Sequence, residues 1–398
     1  GIEVLTDIVL NQMMGADETE EVTAEENAQH NRELDVRENL TISAWTKFTF
    51  PGRKGKYSDF CWSAENFSGT DWDEKSKQGG IYKFEGKEWS RQTDTENVNY
   101  DYLMGVDLDM DNPQTVQALE NWGKWYIDTV GMDGFRLDAV KHISYDFYEY
   151  WLKQMRAYAG RDLFAVGEYW SPDLQRLLKY LEEVGDSMAL FDVPLHFAFL
   201  SAATSDGNFD MGALFRDSLV KARPNRAVTF VDNHDTQPGQ ALVSFIPAWF
   251  KPIAYALILL RADGLPCVFY GDYYGIPHDG IAPVPGLRAL LRLRKEWAYG
   301  EQRDYFDDSS LVGFVRTGDG EHPNSGMAVV MTDSSEGTKR MELGARFAGA
   351  ALYDALGHFS TPVILDETGA GEFPVQGGSV SVWVLEPVYR ALCTQVEF

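Results

Sequence analysis

Apolar positions along the chain follow two rhythms. Short runs rich in β-branched and aromatic residues, "IEVLTDIVLN", "GFRLDAV", "LFAVGEYW", "MALFDVPL", "AVTFVDNHD" and "LPCVFYGD", have the near-continuous hydrophobicity of strands buried on both faces of a parallel sheet. Between them lie amphipathic stretches with readable ends. Asp111-Asn112-Pro113 predicts a helix through "QTVQALENWGKWYIDTV", with Pro113 at the first helical position and Gly131 just beyond the end. Ser144 caps "YDFYEYWLKQMRAYAG", and Ser171-Pro172 opens "DLQRLLKYLEEVG" in the same way. Strands alternating with helices predict parallel βαβ units and an α/β fold. The chain begins inside this pattern: Ile2, Val4, Ile8, Val9 and Leu10 read as a central strand already under way.

Two regions break the alternation. Residues 13–100 are polar and rich in Gly and aromatic residues, as in "FPGRKGKYSDFCWSAENFSGTDWDE", and are expected to form an inserted irregular β domain. From 303 to 398 the chain turns to short strands with turns such as "TGDGEHPNSG", ending in "GGSVSVWVLEP", which predicts a C-terminal antiparallel β sandwich. Residues 1–12 and 101–302 are left for the βαβ domain.

Composition narrows the function. With 61 acidic and 35 basic residues, the net charge is −26. Such a chain repels nucleic acid and anionic membranes and favours a neutral substrate or bound cations. The apolar run around Ile253 to Leu260 is too short for a membrane span and is flanked by Lys251 and Arg261. Cys61, Cys267 and Cys393 are odd in number and widely separated, so no disulfide framework or CxxC metal site is signalled, and Cys267 is expected to be a buried thiol. Localisation stays open between a secreted and a cytoplasmic protein, since the sequons at Asn39 and Asn66 arise easily by chance.

Polar residues at the predicted strand ends carry the chemistry. Arg136 and Asp138 are two apart on one strand and share a face, with Lys141 and His142 following in the loop. Glu168 ends the next strand, and Asp232, Asn233, His234 and Asp235 crowd the end of another. Each group alone has a structural explanation, as an ion pair, a cap or a turn. Together they place three carboxylates at strand ends that a parallel barrel gathers at its C-terminal mouth. Carboxylates beside a guanidinium and imidazoles suit acid-base and nucleophilic work on an uncharged acetal.

The motifs "DIVLNQ", "GFRLDAVKH", "VGEYW" and "FVDNHD" resemble those of the α-amylases, glycoside hydrolases built on a (β/α)8 TIM-type barrel. Longer stretches, "YSDF", "GTDWDE", "YDYLMGVDLDMDNP" and "FVDNHDTQPGQ", are similar to the bacterial liquefying and intracellular branch. The resemblance implies endo-acting hydrolysis of α-1,4-glucosidic bonds in starch or glycogen, with retention, by double displacement. It assigns Asp138 as nucleophile, Glu168 as general acid/base and Asp235 as the carboxylate that stabilises the transition state. Arg136 and His234 would hold the nucleophile and sugar, and Lys141 and His142 would line the leaving-group side. Arg136 should keep Asp138 ionised, while a neighbouring carboxylate raises the proton affinity of Glu168. Trp62, Trp72, Tyr169 and Trp170 are candidate sugar platforms. The alternatives are a glucanotransferase, an oligosaccharide-trimming relative, or an inactive glucan-binding protein.

The resemblance also implies one structural calcium held by Asn11, Asp101, Asp107 and the backbone carbonyl of His142, a chemically suitable oxygen set. Two further aspartates of the related bacterial enzymes are replaced here by Ser68 and Ser90, so no metal cluster is expected. Gln12 stands where the family usually has His; it can hydrogen-bond but cannot carry charge. "GIEVLTDIVLNQ" resembles the third barrel strand, so roughly 90 residues with two βα units of the eight-unit barrel would be missing ahead of it. Six strands do not close such a barrel and their edges would be open, so the expectation is a fragment of a longer chain, a fold with a gap, or an oligomer in which a partner compensates for the missing strands.

Overall fold

The computed structural model describes residues 1–394, so the last four residues of the expected C-terminal domain lie outside the described residues. The chain divides into two compact units: residues 1–170 with 175–190, and residues 171–174 with 191 onward.

In the first unit, β1 (Leu5–Ile8), β8 (Gly134–Leu137), β9 (Phe164–Gly167) and β10 (Ala189–Phe191) run in that order as parallel neighbours. Gly134 permits the close packing of β8 on β9, because a Cβ there would lie 2.3 Å from the Phe164 carbonyl oxygen. Helices α1 (Pro113–Val130), α2 (Tyr145–Ala159) and α3 (Leu174–Glu183) connect these strands. The first two begin and end where their caps predict. Asn112 Oδ1 accepts from Gln114 N–H, Gly131 takes φ 68°, and Ser144 Oγ accepts from Phe147 N–H. Helix α3 starts later than the sequence predicts, because Ser171 spends its hydroxyl on Asp173 N–H in the preceding turn.

β1 is less buried than its apolar run alone suggests. It pairs with β8 and lies at the sheet edge, so Ile2 (92 % exposed), Val4, Leu5 and Val9 face solvent rather than a second layer.

Between β1 and α1 the chain builds a second sheet, ordered β2 (Gln12–Met13), β7 (Val106–Leu108), β5 (Phe67–Asp73), β6 (Gln78–Phe84), β3 (Glu18–Ala28) and β4 (Asn31–Lys47). The expectation of an irregular domain is corrected here. β3 and β4 form a long antiparallel hairpin with several bulges, and Ile42, Ala44, Thr46 and Phe48 alternate inward along it. A cavity of about 940 Å³ opens beside α1, lined by apolar and amide side chains including Leu10, Gln12, Trp62 and Trp122.

The second unit carries the parallel pair β11 (Ala227–Phe230) and β12 (Leu265–Cys267). Helix α4 (Val193–Thr204) precedes β11, and α5 (Lys251–Leu260) stands between the two strands. Helix α5 is buried on all sides, which explains the uninterrupted apolar run in its sequence. Cys267 is only partly buried, although burial pushes its thiol up. Beyond residue 302 a six-stranded antiparallel sheet and a two-stranded one enclose a core around Val330, Phe373 and Trp383. These strands, from Gln302 onward, make up a C-terminal β domain. A short helix, Glu386–Cys393, follows its last strand. Among the described residues, no helix is long and apolar enough to cross a membrane.

Candidate active site

Parallel pairing aligns the ends of β1, β8 and β9. Asp7 lies opposite Arg136, and Arg136 lies opposite Val166, two residues before Glu168. The Arg136 guanidinium collects three carboxylates: it donates to Asp138, to Asp7 Oδ1 at 2.8 Å and to Glu168 Oε2 at 2.7 Å. Burial opposes its charge, but Glu168, Asp7 and Asp138 outweigh that and hold it above its ordinary value. Sequence reasoning paired Arg136 with Asp138 and missed Asp7, although "DIVLNQ" contains it. Glu168 is 6 % exposed. The chain after Asp138 turns sharply: Ala139 takes φ 48°, ψ 40°, a left-handed conformation that costs a non-glycine residue about 1 kcal/mol.

Lys141 and His142 follow in a short 3₁₀ turn and are both buried. Lys141 Nζ pairs with Glu96 at 3.0 Å and lies over the Tyr100 ring. His142 Nδ1 meets the Tyr100 carbonyl at 2.7 Å, which assigns the proton to Nδ1. Burial, aided by Lys141, lowers this imidazole to about 3, so it is neutral. Tyr169 is buried against Tyr180, and its hydroxyl donates to Asp94. Its face is not presented to solvent as the platform expectation required, because the ring fills the space beside Tyr180. Trp62 is likewise mostly enclosed, edge-on to Phe60, while Trp170 is partly exposed.

Two other indoles are open. Trp45 (39 % exposed) and Trp72 (37 %) both donate their N–H to Glu74 Oε2, at 3.3 and 2.9 Å. Trp45 escaped sequence reasoning; its outward place in the alternation of "TISAWTKF" was the signal for it.

Asp235 and His234 belong to the second unit. Asn233 Oδ1 accepts from the N–H groups of Asp235 and Thr236, both at 2.9 Å, which fixes the turn. His234 Nε2 lies 3.2 Å from Asp235 Oδ2. Beneath them Lys251, 2.9 Å from Asp232 and bonded to Asp272, supplies the buried counter-charge for both carboxylates.

The expected cation ligands Asn11, Asp101 and Asp107 are all buried. Asn11 is buried, and neither polar atom of its side chain has a hydrogen-bond partner. Gln12, which follows it, pairs with Asp107 across β2 and β7. Burial pushes the carboxyls of Asp101 and Asp107 well above the usual range, and the proximity of Asp101 raises Asp107 further. Two buried acids beside an amide with no partner fit a hard cation, which would supply the missing positive charge. Ser68 donates to Asp107, and Ser90 N–H donates to Asp101 at 2.9 Å. Among the described residues, no three His, Cys, Asp or Glu side chains converge on one metal position.

Carboxylates gathered on a guanidinium at the C-terminal ends of parallel strands define an acid-base site on a β/α scaffold. Residues 1–283 match the family described as "Alpha amylase, catalytic domain", and residues 327–384 match "Alpha-amylase C-terminal". The chain is 50 % identical to an α-amylase of Geobacillus stearothermophilus over 96 % of its own length and 70 % of that protein's. It is 40 % identical to the cytoplasmic α-amylase of Escherichia coli, covering 97 % of this chain and 81 % of that one. The crystal structure of an Anoxybacillus α-amylase superposes with a TM-score of 0.61 at 19 % identity, over 96 % of this chain and 76 % of that one, and is a likeness of fold. The chain belongs to the α-amylase family of glycoside hydrolases, with a TIM-type barrel and a C-terminal β domain.

Proposed function

We propose that the chain hydrolyses internal α-1,4-glucosidic bonds of starch or glycogen with retention. The observation that carries this reading is the single guanidinium that holds Asp138 and Glu168 together. In the first step Asp138 attacks the anomeric carbon while Glu168 delivers a proton to the departing oxygen, leaving a glucosyl ester on Asp138. In the second, Glu168 takes a proton from water, which attacks the anomeric carbon from the face the departing sugar vacated and releases Asp138 as a carboxylate. Asp235 stabilises the oxocarbenium-like charge, with His234 beside it. Lys141 and His142 bound the leaving-group side, and Trp45 and Trp72 offer stacking faces for a long glucan. The domain assignment that goes with this function is a catalytic barrel from 1–12 and 101–302, an inserted domain from 13–100 and a C-terminal domain from 303. Asn11, Asp101, Asp107 and the His142 carbonyl would hold one calcium ion, whose chemistry is charge compensation and bracing.

Reducing-sugar release from soluble starch tests the reading. Asp138→Asn is expected to lose activity by roughly 1,000-fold or more, since the nucleophile acts in both steps. Proton NMR of the nascent product should show the α-anomer first. Appearance of the β-anomer first, or full activity in the variant, overturns the mechanism.

A further inference from the structure

We propose that Asp94 is a positioning residue that couples the loop after Asp138 to the loop after Glu168. The inference rests on the hydrolytic reading above. The Asp94 side chain is only 2 % exposed. One carboxylate oxygen accepts the Tyr169 hydroxyl, one residue after Glu168. The other accepts from Arg176 Nη1 at 2.6 Å and from Glu96 N–H at 2.6 Å. The backbone of the same residue reaches the other loop, since Asp94 N–H donates to the Lys141 carbonyl at 3.0 Å.

The segment around Asp94 is a strap with several fastenings on that loop. Tyr145 N–H donates to the Gln92 carbonyl at 3.0 Å, and Ser144 Oγ donates to Gln92 Oε1 at 2.8 Å. Glu96 pairs with Lys141 at 3.0 Å, and the Tyr100 carbonyl meets His142 at 2.7 Å. Among these links, Asp94 carries the strap across to Tyr169. A charge-assisted hydrogen bond in a buried place is strong and directional. It therefore fixes the distance between two loops that follow the attacking and proton-donating carboxylates. Misplacement of reacting groups by about 1 Å can cost on the order of 100-fold in rate.

The test compares Asp94→Asn, Tyr169→Phe and the double variant on a soluble maltooligosaccharide. Each single variant should lower kcat by roughly 10- to 100-fold with KM changed less than about threefold. The double variant should be no slower than the worse single one, because both break the same link. Single variants within twofold of the parent, or losses that multiply in the double, overturn the proposal. Amide hydrogen exchange on the full chain supplies a readout that needs no turnover. Asp94→Asn and Tyr169→Phe should each raise exchange over both 139–145 and 168–170 while leaving α1 unchanged. Exchange altered on one side only overturns the coupling, whereas a parent chain without hydrolysis but with coupled exchange overturns the hydrolytic reading alone.

Discussion

His196 shows how much a single buried side chain weighs. It stacks on Phe230 and spans Val231 O at 2.7 Å and Ser244 Oγ at 2.9 Å, so it braces the two ends of the segment that carries Asp235. Burial lowers it to about 4, against an unfolded value near 6.5. The folded state keeps it neutral while the unfolded chain binds a proton, so its contribution is complete above pH 6.5 and is lost as pH falls towards 4. The difference corresponds to roughly 3 kcal/mol. Asp192 and Asp232, raised by burial to about 6 and about 7, act in the opposite sense, losing stability as pH rises through those values. His196→Gln keeps a donor and an acceptor without the titration. Urea midpoints at pH 7 and pH 4 should therefore fall less in the variant than in the parent; an equal fall removes His196 from the acid limb.

At the level of elements, β1 is the exposed member. It lies at the sheet edge, with the side chains of Ile2, Val4 and Leu5 exposed. The same strand marks a limit of sequence reading: "IEVLTDIVLN" announces burial on both faces, but hydrophobicity records what a strand suits and cannot say which neighbours cover it. Helices α1 and α2 were legible to the residue because Asn112, Gly131 and Ser144 act locally. The hairpin of β3 and β4 was misread as irregular. Its charged outward positions and bulges mask a period of two that only Ile42, Ala44, Thr46 and Phe48 keep cleanly. Arg136, Asp138 and Glu168 were readable from strand ends, whereas Asp94 and Arg176 were not, since their meeting depends on tertiary packing across a long loop.

Across the whole molecule the net charge of −26 makes every buried acid costly, and the first unit concentrates that cost at Asp101 and Asp107. An ion held there would join the end of β1, through Asn11, to β7 and to the turn after β8. Its binding should appear as global stability: calcium at about 100 times its dissociation constant adds about 2.7 kcal/mol. Thermal melts are expected to rise with added calcium, to fall after chelation, and to lose this response in Asn11→Ala. Melts indifferent to calcium in the parent would exclude the site.

The shared oxygen of Glu74 has an optical meaning as well. Trp45 and Trp72 are half open to solvent, and their indole N–H groups end on the same carboxylate. Indole emission shifts with the polarity and hydrogen bonding around the ring. A sugar that displaces water from either face therefore alters the light from a pair already wired to one acceptor. The inserted sheet thus carries a built-in lamp, whose colour follows whatever comes to cover these two faces.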